Sequence, residues 1–210
     1  RNFNNKIWNA LKLVKMWEGR HITIDNGQLA GRNFAIDWFE NRLNQVKAQV
    51  NELMKQFRLS EALKTIYSLI WDDFCSWYLE WVKPGFDQPI NAGVYNKTVT
   101  YFEELMQLLH PYMPFVTEEI YHLLREQEKD LCVKQSQEVK AANQQILSQG
   151  ELLKQVISTI RDGRNKNQVK PKETIKLFIE TKTKESYSSI ESILSKQVNA
   201  DEISFTGEAI

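Results

Sequence analysis

Through residue 125 the apolar residues recur at every third or fourth position, and that period confines the first half of the chain to helices. Phe3, Ile7, Ala10, Leu11, Val14 and Trp17 mark a first amphipathic helix. After a polar, glycine-containing stretch over 19–33, Phe39, Leu43, Val46, Val50, Leu53 and Phe57 mark a long second helix with a narrow apolar seam. A third begins near Ser60, a residue suited to an N-cap. It carries Leu63, Ile66, Tyr67, Ile70, Phe74, Trp77 and Trp81 until Pro84-Gly85 ends it. Val99, Phe102, Leu105, Met106 and Leu109 mark a fourth, which His110-Pro111 stops. Pro114 opens a fifth at its first turn, with Glu118 and Glu119 near the positive end. Helices joined by short connections predict an antiparallel bundle over residues 1–125.

The pattern then changes. Residues 126–137 are polar and read as a linker. Val139, Ile146, Leu153, Val156, Ile157 and Ile160 predict a long helix, with Gly150 as a point of interruption. Thr174–Glu180 alternates, with Ile175, Leu177 and Ile179 on one face, which is a strand signature. Tyr187, Ile190, Ile193 and Leu194 return to helical spacing, and Ile203 and Phe205 mark a second strand. Residues 138–210 thus read as a small α/β unit of helix, strand, helix and strand. Its two strands form a crossover unit that must lean on the long helix, because two strands alone are marginal.

Composition narrows the function. Twenty-seven basic residues balance 27 acidic ones, which excludes a uniformly basic polyanion binder and an acidic tail protein. No run approaches the ~18 apolar residues of a membrane span. Cys75 and Cys132 are too few for a disulfide framework or a cysteine-based zinc site, and His21, His110 and His122 are scattered, so no metal is expected. The chain starts at Arg1, with a helix already under way, and no signal peptide is present. We therefore expect a piece of a longer protein.

No glycine-rich phosphate loop, nucleophile elbow or metal-binding helix pair occurs, so no catalytic residue is assigned. The acidic doublets Asp72-Asp73, Glu103-Glu104 and Glu118-Glu119 point about 100° apart on a helix and read as solvated faces. Two windows depart from neutrality. Residues 1–20 hold Arg1, Lys6, Lys12, Lys15 and Arg20 against Glu18 alone, a net of +4. Residues 161–176 hold six basic residues against Asp162 and Glu173, again a net of +4.

The first of these windows also carries Asn2, Asn4, Asn5 and Asn9 opposite the apolar face. Asparagine is a poor helix former, whereas its planar amide offers a donor and an acceptor to a base edge. A polar face enriched in asparagine by chance is the alternative. The second window, with Arg161, Arg164, Lys166 and Lys170, could contact phosphates, or could simply be a cationic helix end favoured by the helix dipole. The Trp-rich stretch Trp71–Trp81 offers either stacking platforms or core packing, with packing favoured by the spacing of 74, 77 and 81.

Three strings carry a resemblance. RNFNNKIWNA at residues 1–10, WDDFCSWYLEWVKP in the third helix and LLHPYMPFVTEEIYHLL at the fourth-to-fifth turn resemble the anticodon-binding region of class I aminoacyl-tRNA synthetases, above all the valyl branch. LLKQVISTIRDGRNKNQVKPKETIKLFI is similar to the segment that follows the bundle there. The resemblance spans nearly the whole chain. It implies a tRNA anticodon-arm recognition module of a cytoplasmic, monomeric ligase, with the catalytic and editing domains, ATP and Mg lying elsewhere in the parent. The parent would run on past Ile210 into a coiled-coil arm. The two adenylate-site signatures, one ending in Gly-His and the other Lys-Met-Ser-Lys-Ser, are absent, so the piece itself is expected to need no cofactor and to catalyse nothing.

Residue by residue, the resemblance supports Arg1, Asn2, Asn5, Lys6 and Asn9 as tRNA contacts. The helical arc adds Lys12, and Arg161, Arg164, Lys166 and Lys170 stand as secondary contacts. Expected partners are the anticodon stem-loop and the remaining domains of the same synthetase, with no membrane. The same module from an isoleucyl-type synthetase is an alternative. From other classes come a protein-interaction scaffold that docks a helix on the 39–57 seam and an independent enzyme.

Overall fold

A computed structural model describes residues 2–22, 33–85, 87–126, 129–170 and 172–207, with the backbone alone at 21–22. The chain divides into two compact units, Arg1–Ala142 and Asn143–Ile210.

The first unit is a helical bundle. Helix α1 runs Asn2–Trp17, α2 Phe34–Lys55, α3 Leu59–Ser68, α4 Leu79–Val82, α5 Ala92–Leu109 and α6 Pro114–Leu124. A π-helical stretch, Leu69–Tyr78, joins α3 to α4 without a break. Helix α1 packs against this stretch and against α5 and α6, while α2 packs against α3, the π stretch and α5. A two-residue parallel bridge pairs β1 (His21–Ile22) with β2 (Ile90–Asn91). Most of the 19–33 loop lies outside the described residues.

Helix ends follow local chemistry. Asn33 caps α2 by accepting from the Ala35 N–H at 3.0 Å, and Asn91 caps α5 by accepting from Gly93 and Val94. Pro114 opens α6 at its first turn, as expected. Ser60 is not the cap of α3. The helix starts one residue earlier, where Arg58 and Glu61 form an exposed bidentate pair across the first turn.

The core is aromatic. The Phe39 ring, fully buried, lies 4.8 Å from Tyr78, 5.3 Å from Phe74 and 5.3 Å from Tyr101. Trp38 and Trp81 meet at 4.6 Å. The α2 seam of Phe39, Leu43, Val46, Val50 and Leu53 is buried in this core. That removes the surface on which a partner helix was considered to dock. Only Phe57, at the end of the seam, is exposed.

The acidic doublets differ from expectation. Asp73 is buried and accepts from the Arg42 Nε at 2.8 Å. Glu104 pairs with Lys47 at 2.8 Å, both nearly withdrawn from solvent, and Glu103 is buried between Arg125 and Lys134. Each of these is a crosslink between chain segments that no single helical wheel displays. The segment expected to be a linker supplies one end of a crosslink. Lys134 reaches Glu103 at 3.1 Å, its carbonyl accepts from Gln107 at 2.6 Å, and Leu131 is buried in a short 3-10 turn.

The second unit holds α7 (Gln144–Lys166), β3 (Ile175–Glu180), a 3-10 turn, α8 (Glu191–Val198) and β4 (Ala200–Thr206). Helix α7 starts at an Asn143 cap, later than Val139, and continues through buried Gly150 without interruption. Strands β3 and β4 pair in parallel, Leu177 opposite Ile203 and Ile179 opposite Phe205. Ile175, Leu177 and Ile179 share the more buried face, as their alternation predicts. Helix α7 packs on α8, which packs on β4. Asn199 closes α8 with φ +53°, a left-handed turn that asparagine tolerates, and its side chain donates to the Lys172 carbonyl at 2.9 Å.

Candidate nucleic-acid interface

Helix α1 buries Ile7, Ala10, Leu11, Val14 and Trp17 and turns its asparagines outward. Asn2, Asn5, Asn9 and Lys12 are exposed and advance by three, four and three residues, so they line one stripe. None of the four side chains is hydrogen-bonded to a described residue, so three planar amides and an ammonium face solvent together. Arg1 lies outside the described residues.

Lys6 behaves differently. Half-buried at the flank of the stripe, it donates to the Ser76 Oγ at 3.2 Å and sits 4.6 Å from the centre of the Trp71 ring. That ring belongs to a stack. Tyr67 and Trp71 lie nearly parallel, 5.6 Å apart with 9° between their planes, and Phe3 covers Tyr67 at 4.5 Å. Around the α1 axis the order is Phe3, Lys6, then the asparagine stripe. A cation therefore separates a set of stacked rings from a row of amides.

The π-helical stretch explains why the Trp71 ring could not be placed by helical spacing. Its backbone bonds span five residues, as in the Leu79 N–H to Phe74 carbonyl bond. Wheel arithmetic at 3.6 residues per turn therefore fails between Leu69 and Tyr78. Ser76 donates its hydroxyl to the Trp71 carbonyl, five residues back, at 2.8 Å. Tyr67, expected in the core, is 40% exposed, and Trp71 is half-exposed while Trp81 is buried. The signal in the sequence was the Tyr67–Trp71 pair at a spacing of four beside Phe3 of the first string.

Two groups of the π-helical stretch stay neutral. Burial pushes the Cys75 thiol up to about 12, against a smaller opposing pull from the Lys6 ammonium, so it is a neutral apolar filler. Burial also raises Tyr78 well above the usual phenol range. Thr98 gives its hydroxyl proton to the Val94 carbonyl, so the Tyr78 hydroxyl donates to Thr98, at 2.8 Å.

The second basic window splits. Arg164 is buried, and its guanidinium donates to the carbonyls of Val198 at 2.9 Å, Lys170 at 2.8 Å and Glu173. It ties the end of α7 to the start of β3 and the α8–β4 turn, and offers nothing to a phosphate. Arg161 bonds Gln197 at 3.0 Å on the surface, and Lys166 and Lys170 are exposed. No described helix is long and apolar enough to cross a membrane.

Comparison with known proteins places this surface in a context. Residues 37–179 match the family described as the anticodon-binding domain of tRNA ligase, so α1 lies just ahead of the matched region. The valine–tRNA ligase of Phocaeicola vulgatus is 44% identical over 181 residues, which is 85% of this chain and 20% of that protein. That of Bacteroides fragilis is 45% identical over the same shares, and that of Parabacteroides distasonis is 38% identical over 97% of this chain and 23% of its own length. The chain thus spans about a fifth of the length of the relatives it matches. It belongs to the anticodon-binding domain family of tRNA ligases.

Proposed function

We propose that this chain is the part of a valine–tRNA ligase that grips the anticodon arm of tRNA. The observation that carries the reading is the stripe of exposed amides on Asn2, Asn5 and Asn9 beside the Phe3–Tyr67–Trp71 stack. Unstacked anticodon bases are recognised by amide hydrogen bonds on their edges and by aromatic faces. Asn2, Asn5 and Asn9 read base edges, while Arg1 and Lys12 hold phosphates. Lys6 is a positioning residue that holds the Trp71 ring. Arg161, Lys166 and Lys170 supply a secondary electrostatic contact.

The remaining ligase domains, with their ATP and Mg, carry the chemistry, and the module works as a monomer in the cytoplasm. The match to valine–tRNA ligases favours the valyl over the isoleucyl assignment.

Binding of a fluorescent anticodon stem-loop, followed by anisotropy at several salt concentrations, tests the reading. Affinity should fall steeply with salt, by roughly one power of concentration for each phosphate contacted. Affinity that is indifferent to salt contradicts the reading.

A further inference from the structure

Two histidines that stand apart in sequence face one groove. It lies where α5 gives way to α6, holds about 360 Å³, and is lined by His110, Pro114, Phe115, Glu118, Glu119 and His122. Helix α6 places Glu118 and His122 one turn apart on one face, and the segment after it brings up Asp130. The His122 Nε2 lies 3.2 Å from the Glu118 Oε1 and 3.2 Å from the Asp130 Oδ1. An ion held by bonds of ~2.0–2.2 Å in a tetrahedral arrangement separates its ligand atoms by ~3.3 Å. The two separations from His122 approach this, and all three ligand atoms lie within 4.8 Å of one another.

Neighbours hold the groups in place. The Leu131 N–H donates to the Glu118 Oε1 at 2.6 Å. The Thr117 hydroxyl gives its proton to the Met113 carbonyl at 2.8 Å, so it accepts from the His110 Nδ1–H, also at 2.8 Å. The His110 Nε2 therefore carries the lone pair of the neutral ring, 3.9 Å from the second Glu118 oxygen. Such outer bonds orient the ligands of metal sites.

We propose that Glu118, His122 and Asp130 bind a transition-metal ion of the zinc type, its remaining position opening toward His110. One imidazole with two carboxylates suits zinc and its neighbours, whereas magnesium and calcium demand a shell of oxygens. The bound ion clips the segment that contains Asp130 and Leu131 to α6. The groove gives it an entry path.

Calorimetric titration of the whole chain with Zn²⁺ tests this, in a Cys132→Ser background that removes the exposed thiol two residues from Asp130. One saturable site is expected, weakened at least about tenfold by His122→Ala and by Asp130→Ala, with no heat from Mg²⁺ at the same concentration. Both positions are partly or fully exposed, so circular dichroism of the variants should match the parent. Zn²⁺ affinity unchanged in His122→Ala, binding seen only when Cys132 is present, or no saturation would each overturn the proposal.

Discussion

The Lys6 ammonium sits 4.6 Å from the centre of the Trp71 ring and donates to the Ser76 hydroxyl beneath it. Helix α1 is thereby pinned to the π-helical stretch at the point where the rings emerge. The stack should serve any base alike, because every base has a π face. Tyr67→Ala should weaken binding of all single-stranded anticodon loops by about 1–3 kcal/mol without changing their order of preference. Anisotropy titrations with two loops of different sequence check this.

Arg164 should matter for stability and not for charge. Its removal leaves carbonyls of Val198, Lys170 and Glu173 without their guanidinium partner, at about 1–3 kcal/mol for each buried one left unmade. Arg164→Lys should be nearly as damaging as Arg164→Ala, since an ammonium cannot reproduce the planar fork. Lys166→Ala should be close to neutral. Urea denaturation followed by circular dichroism ranks the three.

The Lys47–Glu104 pair joins α2 to α5 out of contact with most solvent. Lys47→Met alone strands a carboxylate and should cost about 3–5 kcal/mol. Lys47→Met with Glu104→Leu should recover most of that loss, because buried ion pairs seldom outdo apolar packing of similar volume. A double-mutant cycle in denaturant gives the coupling directly.

Phe57 takes φ +59° just beyond α2, while its ring is 87% exposed. The chain reverses there through the Arg58 N–H bond to Leu53 and the Phe57 N–H bond to Met54. A side chain in the left-handed region costs about 1–2 kcal/mol, and this one returns no packing. Phe57→Gly should therefore raise the melting temperature.

The two thiols should differ in reactivity. Cys132 is exposed, whereas burial pushes the Cys75 thiol up to about 12. A colorimetric thiol reagent near neutral pH should label one cysteine per native chain and two after denaturation. Because the folded-state value is raised above the ordinary 9.0, the native chain keeps a proton that the unfolded chain releases. The stabilising contribution is complete below about pH 9 and is lost as pH climbs toward 12.

Helices and strands were legible because burial imposes a period, and the period survives in Ile7, Leu11 and Val14 or in Ile175, Leu177 and Ile179. The asparagine stripe was legible for the same reason, as the complement of the apolar face. Three features were not legible. The π-helical turn shifts angular positions after Leu69, which hid the placement of Trp71, while Tyr67, one turn earlier, sits at the edge of the apolar run. The pairs Asp73–Arg42 and Glu104–Lys47 join residues 31 and 57 positions apart, beyond the reach of any local pattern. Arg164 reads as a surface cation until the carbonyls of three distant residues are seen around it.

Base readout by α1 is the central claim, and one comparison tests it most directly. The affinity of the chain for a valine-anticodon stem-loop is measured against a loop altered at the middle anticodon base, for the parent, Asn5→Ala, Asn9→Ala and Lys12→Ala. The account predicts that the parent prefers the valine loop by at least about tenfold. Either asparagine change should erode that preference, while Lys12→Ala should weaken both loops equally. Equal affinity of the parent for the two loops, or an equal loss for both from the asparagine changes, would contradict it.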